Sequence, residues 1–126
     1  MANLATTYYK YDKLREAEDI ECQVIVLRKQ VLGEKHPETI LGMANLATTY
    51  YKYNKLKEAE DIELKVIALC KEVLGEKHPE TILGMANLGL TYYQQGRMKE
   101  AEKVKVETLA LRRKCLGIET PTRLRV

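Results

Sequence analysis

The chain repeats itself every 42 residues. Residues 1–42 and 43–84 agree at 35 of 42 positions, and residues 85–126 agree with the second line at 16. A fixed period of this size means stacked supersecondary units. Each is too small to hide its own apolar face, so the sequence predicts a solenoid rather than a closed globule. The 126 residues then form a single repeat domain of three units, 1–42, 43–84 and 85–126.

Each unit carries two helical patterns. In one, from about Pro37 to Tyr53, the residues Ile40, Met43, Leu46, Ala47, Tyr50 and Tyr53 recur at steps of three and four and share a face. Pro37 suits a first helical turn, where a missing N–H costs nothing. Asn54-Lys55 breaks the pattern, with equivalents at Asp12-Lys13 and Gly96-Arg97. Asn, Asp and Gly tolerate a left-handed turn. A second helix is predicted from about Leu56 to Leu74, its stripe made of Ala59, Ile62, Val66, Leu69 and Val73. Gly75 ends it, as Gly33 and Gly117 end its equivalents. The fold class is therefore all-α.

The repeat is out of phase with the ends. Pro37–Gly42 and Pro79–Gly84 open a first helix, but nothing in the sequence precedes Met1, so the first helix of unit one is expected to be truncated. Pro121–Val126 starts a further helix that is not finished. Gly42 and Gly84 lie inside first helices, where glycine costs about 1 kcal/mol against alanine; a close helix contact would compensate.

The third unit reads Met85-x-x-Leu88-Gly89-x-x-Tyr92, then Ala101, then Pro121. Leu4-Ala5, Tyr8 and Ala17 repeat this pattern, as do Leu46-Ala47, Tyr50 and Ala59. It resembles the tetratricopeptide repeat family. The 42-residue length and the V-L-G-E-K-H-P-E-T segment are similar to the repeats of kinesin light chains. Two departures stand out. Glu21, Glu63 and Lys105 occupy the place of the family's aromatic residue four positions after the alanine, and the second helix is about two turns longer than in the common form.

The resemblance implies a right-handed superhelix whose first helices line a concave groove. It also implies a protein-interaction scaffold that binds a peptide segment there. The groove-facing stripe would be Leu41, Asn45, Thr48 and Lys52 in unit two, Asn3, Thr6 and Lys10 in unit one, and Leu83, Asn87, Leu90 and Gln94 in unit three. By resemblance, Asn3, Asn45 and Asn87 would pair with the peptide backbone, since an amide offers both donor and acceptor. Lys10 and Lys52 would favour an acidic protein or peptide partner.

The alternative is structural: near-identical units that build head-to-tail arrays without a dedicated ligand. Unit charges of −1, −1 and +5 would assist end-to-end approach. Met1, Leu4 and Tyr8 would then be exposed at one end, and Val104, Leu111 and Leu116 partly exposed at the other.

Other classes find little support. The chain has no Ser, no phosphate-cradling glycine loop and no apolar run near the roughly 18 residues that cross a bilayer. Enzymatic activity, cofactors, metal and a membrane are not expected. Nor is nucleic acid, because the basic excess is confined to unit three. His36 and His78 stand one repeat apart, too far to share a metal ion, and are expected to cap the helices that begin at Pro37 and Pro79. Glu16, Glu18, Asp19 and Glu21 are expected on a solvated face. Cys22, Cys70 and Cys115 match no zinc or redox spacing and are expected as partly buried apolar side chains, which favours a reducing, cytoplasmic location.

Overall fold

A computed structural model describes the backbone of residues 2–116 and the side chains of residues 13–114. Five helices follow one another: α1 (Ala2–Leu32), α2 (Pro37–Lys52), α3 (Leu56–Val73), α4 (Pro79–Gln94) and α5 (Met98–Leu116). No strand occurs among the described residues. Each helix packs chiefly on its neighbours in sequence, α1 on α2, α2 on α3, α3 on α4 and α4 on α5. This is an all-α solenoid of helix-turn-helix units, as the period requires.

The loops between units are built twice in the same way. Gly33 and Gly75 take φ of 98° and 102°, left-handed values that favour glycine. His36 Nδ1 accepts from the Glu38 N–H and His78 Nδ1 from the Glu80 N–H, each at 3.1 Å, so both histidines cap helices as expected. Thr39 and Thr81 are fully buried, and their hydroxyls donate to the Gly33 and Gly75 carbonyls at 2.8 Å. A buried hydroxyl must find such an acceptor, which locks each loop onto the helix that follows.

The turns inside units differ. Asn54 (φ 64°) and Gly96 (φ 81°) reverse the chain between α2 and α3 and between α4 and α5. The break expected at Asp12-Lys13 is absent, because α1 runs through it without interruption. Glycine, and after it asparagine, are the residues that stop helices in the left-handed conformation; aspartate at the same place lets the helix continue. The consequence shows on α1. Ile20 and Leu27 are 62% and 59% exposed, whereas their equivalents Ile62 and Leu69 are half-buried against the core that α2 shares with α3.

Two apolar clusters join the layers. Ile25 of α1, Ile40, Met43 and Leu46 of α2, and Val66 and Cys70 of α3 form the first. Ile67 of α3, Ile82, Met85, Leu88 and Tyr92 of α4, and Leu111 of α5 form the second. Leu111 is thus buried rather than partly exposed, because it reaches back onto α3 and α4; Val104 is half-buried as expected. Met1, Leu4, Tyr8, Leu116, Cys115 and Gly117 lie outside the residues whose side chains are described. Val73 is exposed, so the α3 stripe ends a turn early.

The helical glycines find their compensation here. A Cβ at Gly42 would sit 3.3 Å from Ile25 Cγ1, and one at Gly84 would sit 3.3 Å from Ile67 Cγ1. Each unit therefore leans on its predecessor through a bare backbone, a contact that offsets the propensity cost.

Candidate protein-binding groove

The stripe on α2 and α4 faces outward. Leu41, Asn45, Thr48 and Lys52 are exposed, as are Leu83, Leu90 and Gln94, while Asn87 is half-buried. Asn3, Thr6 and Lys10 lie in α1, outside the described side chains. Leu41 and Leu83 keep 44% and 48% of their surface in solvent although nothing polar holds them there. Single exposed leucines are ordinary, but a pair repeated 42 residues apart beside a cavity marks a surface that can be covered.

Between α2 and α4 lies a cleft of about 210 Å³. Leu41 and Ala44 form one wall, Leu83, Gly84 and Asn87 the other, and Val66, Cys70 and Leu74 of α3 the floor. Glu38 and Glu80 stand at its edge. The structure thus brings Leu41, Leu83 and Asn87 together. Asn45, Thr48, Lys52 and Gln94 are exposed but do not line this cleft. Thr48 donates to the Ala44 carbonyl at 3.0 Å, an intrahelical bond that occupies its hydroxyl hydrogen.

Leu90 belongs elsewhere. With Ala86, Gly89, Tyr93, Met98 and Val104 it lines a larger cavity, about 510 Å³, between α4 and α5. Tyr93 and Met98 are more than half exposed on its rim.

The carboxylates expected on a solvated face are not all there. Glu16 and Asp19 are exposed, but Glu18 and Glu21 are half-buried. Glu18 accepts from the Tyr50 hydroxyl, and Glu21 Oε2 from Thr49 Oγ1 at 3.1 Å. Their equivalents one unit on, Glu60 and Glu63, are 6% and 5% exposed. Glu60 Oε1 accepts from Gln95 Nε2 at 3.2 Å and Arg97 Nη1 at 3.0 Å. Burial raises the Glu60 pKa, but these bonds outweigh it and hold the carboxyl below its ordinary value. Arg97 also lies 4.4 Å over the Tyr92 ring. These residues tie the second hairpin to the third. Glu18 and Glu21 leave the wet face because a helix that packs on two sides buries more than one stripe. The signal lay in their recurrence beside Ala17 and Ala59. Glu21 and Glu63 also stand where the resembled family places an aromatic.

Cys70 is buried as expected, with its thiol pKa raised by desolvation, but Cys22 is exposed. No group of three or more His, Cys, Asp or Glu side chains able to hold a metal ion occurs among the described residues, and no helix there is long and apolar enough to cross a membrane.

Family models of the tetratricopeptide repeat match residues 1–38 and 39–80, and a second model of that repeat matches 64–114. No curated protein shows significant similarity. Among solved structures, the chain superposes on the nearly identical TPR-like repeats of a protein from Podosopora anserina described as kinesin light chain. That match has a TM-score of 0.74 and 26% identity, and covers 98% of this chain and 58% of the other. It also matches BtubC (BKLC) from P. vanneervenii with a TM-score of 0.75 and 20% identity, over 88% of this chain and 44% of that one. The latter likeness concerns the fold alone. The chain spans about half the length of these structures.

Proposed function

The chain belongs to the tetratricopeptide repeat family, whose repeats mediate protein–protein interaction, and from that premise we propose that it is a non-catalytic scaffold binding a peptide segment along the α2–α4 groove. The observation that carries this reading is the cleft floored by Val66, Cys70 and Leu74 and walled by Leu41 and Leu83. An aliphatic side chain of the ligand fills it, and Asn87 on the wall and Asn45 on the same stripe engage the ligand backbone. Lys52, at the far end of α2, favours an acidic residue there. Asn3, Thr6 and Lys10 are the matching positions of unit one, on the N-terminal part of the uninterrupted α1, and Gln94 extends the stripe in unit three; the division at 42 and 84 sets the spacing of the rungs. The location is cytoplasmic in this reading, and neither nucleic acid nor membrane is a partner.

Peptides selected from a random display library on the wild-type chain test it. Asn45→Ala with Asn87→Ala removes one or two backbone hydrogen bonds worth about 1 kcal/mol each, so binding is expected to weaken about five- to thirtyfold with the thermal midpoint unchanged. Selected peptides that bind the double variant equally well would place the site elsewhere.

One observation favours the structural reading as well. Among the described residues the 510 Å³ cavity on α4 and α5 is open, whereas α3 is covered by α4. In this second reading the occupant is another copy of the chain. Residues 2–11 repeat residues 44–53 without a change, and the first unit's charge is opposite to that of the third. Sedimentation equilibrium is expected to give an average mass that rises with concentration and falls with salt. A monomer at every concentration would remove this reading and leave the groove untouched.

A further inference from the structure

The interfaces between units share a polar seam that neither the groove nor the stacking uses. At the first, Glu21 Oε2 accepts from Thr49 Oγ1, while Glu21 Oε1 is buried with no partner. At the second, Glu63 faces Thr91, 28 residues on as before, and its Oε1 is again buried without a partner. Thr91 is fully buried and Glu63 is 5% exposed.

The hydrogen bonds at Thr91 decide how this pair is protonated. Thr91 Oγ1 donates its hydrogen to the Asn87 carbonyl at 3.2 Å. A hydroxyl has one hydrogen, so what Thr91 then offers Glu63 is a lone pair. A carboxylate has only lone pairs to bring and would meet an acceptor; a carboxylic acid brings an O–H. The surroundings agree. Of the groups acting on Glu63, Glu60 on α3 is negative and already held by Arg97, and Tyr92 on α4 is a neutral phenol. Among the described residues α2 contributes no charged group acting on Glu63.

We propose that the α3–α4 interface is a proton-binding site: Glu63 is buried as the neutral acid, donates to Thr91, and joins the two units by a bond that is lost when the proton leaves. The step is a simple ionisation. The carboxyl O–H breaks, the proton goes to solvent, and the charge left behind must be either hydrated by opening α3 from α4 or carried unpaired. Burial comes first and Glu60 adds to it, and together they push the Glu63 pKa up to about 7. A raised pKa means that the folded form binds the proton more tightly than the unfolded one. The stabilisation is complete below the ordinary carboxylate range and disappears as pH climbs through about 7. The array is therefore a structure whose second joint loosens near neutrality.

Chemical denaturation of the full chain between pH 5 and pH 8, with Glu63→Gln beside it, tests the proposal. The wild-type unfolding constant is expected to rise on the order of a hundredfold across this window, as a carboxyl raised from its ordinary range to about 7 requires. Glu63→Gln keeps a neutral donor toward Thr91 and should lose that rise. Every other titrating group is common to both proteins, so the difference between them is the informative quantity. Should Glu63→Gln fail to fold, the carboxyl 13C resonance of Glu63 in the wild-type chain gives the ionisation midpoint directly. A midpoint near 7 supports the proposal. A midpoint in the ordinary carboxylate range, or equal pH slopes in the two proteins, overturns it.

Discussion

Truncating Leu46 to alanine is expected to lower the unfolding free energy by about 2–5 kcal/mol, the range for a buried leucine that leaves a cavity. Leu46 is 6% exposed and sits in the cluster that contains Ile25 of α1 and Val66 and Cys70 of α3. Because α2 is packed between α1 and α3, the lost side chain weakens two joints at once. In a solenoid each unit contacts only its neighbours, so a broken joint is not compensated elsewhere. Urea denaturation followed by circular dichroism should show a lower midpoint, and Leu46→Met, which conserves volume, should stay within about 1.5 kcal/mol of the parent. An unfolding free energy for the alanine variant within about half a kcal/mol of the parent would mean that Leu46 does not face the core.

Enlarging Ala59 is the complementary test. It is fully buried, on the helix that α2 and α4 both contact. Three added carbons have no space to enter, and Ala59→Leu is expected to cost about 1–3 kcal/mol through displaced helices. Lys65, exposed on the same helix, should tolerate alanine within about half a kcal/mol. The comparison needs only thermal melts of three proteins, and equal midpoints would refute the assignment of faces on α3.

Much of this architecture was legible from the period alone, because repetition forces stacking whatever the details. The steps of three and four placed Ile40, Met43, Leu46 and Ala47 in the core, and Gly75 and Pro79 marked ends that the caps at His78 and Thr81 then fix. The turn expected at Asp12 does not form. Composition groups Asp with Asn and Gly, but reversing a helix requires a residue at ease with positive φ, and there the three are not equal. The polar seam was invisible for a different reason. Glu18 and Glu21 read as solvated because a single helix has a single wet face, whereas a helix in an array has neighbours on two sides. The groove stripe is exposed on α2, and on α4 at every position but Asn87, which is half-buried. The sequence did not tell that Leu90 turns to the α4–α5 cavity while Leu41 and Leu83 share a cleft, because helical periodicity gives a direction around one axis and not the tilt between two.

The bare backbone at Gly42 and Gly84 has a consequence that only an extended array reveals. One methyl group at either position would press Ile25 or Ile67 at 3.3 Å, and the neighbour would have to give by a few tenths of an ångström. For one joint that displacement is trivial. Yet the same wedge, inserted at the same place in every repeat, adds with a constant sign. Like a shim under each step of a spiral stair, it would change the pitch and the radius of the whole, and with them the spacing of any rungs along the inner wall. The dimension of the superhelix is in this sense written in the smallest residue at each of these two joints.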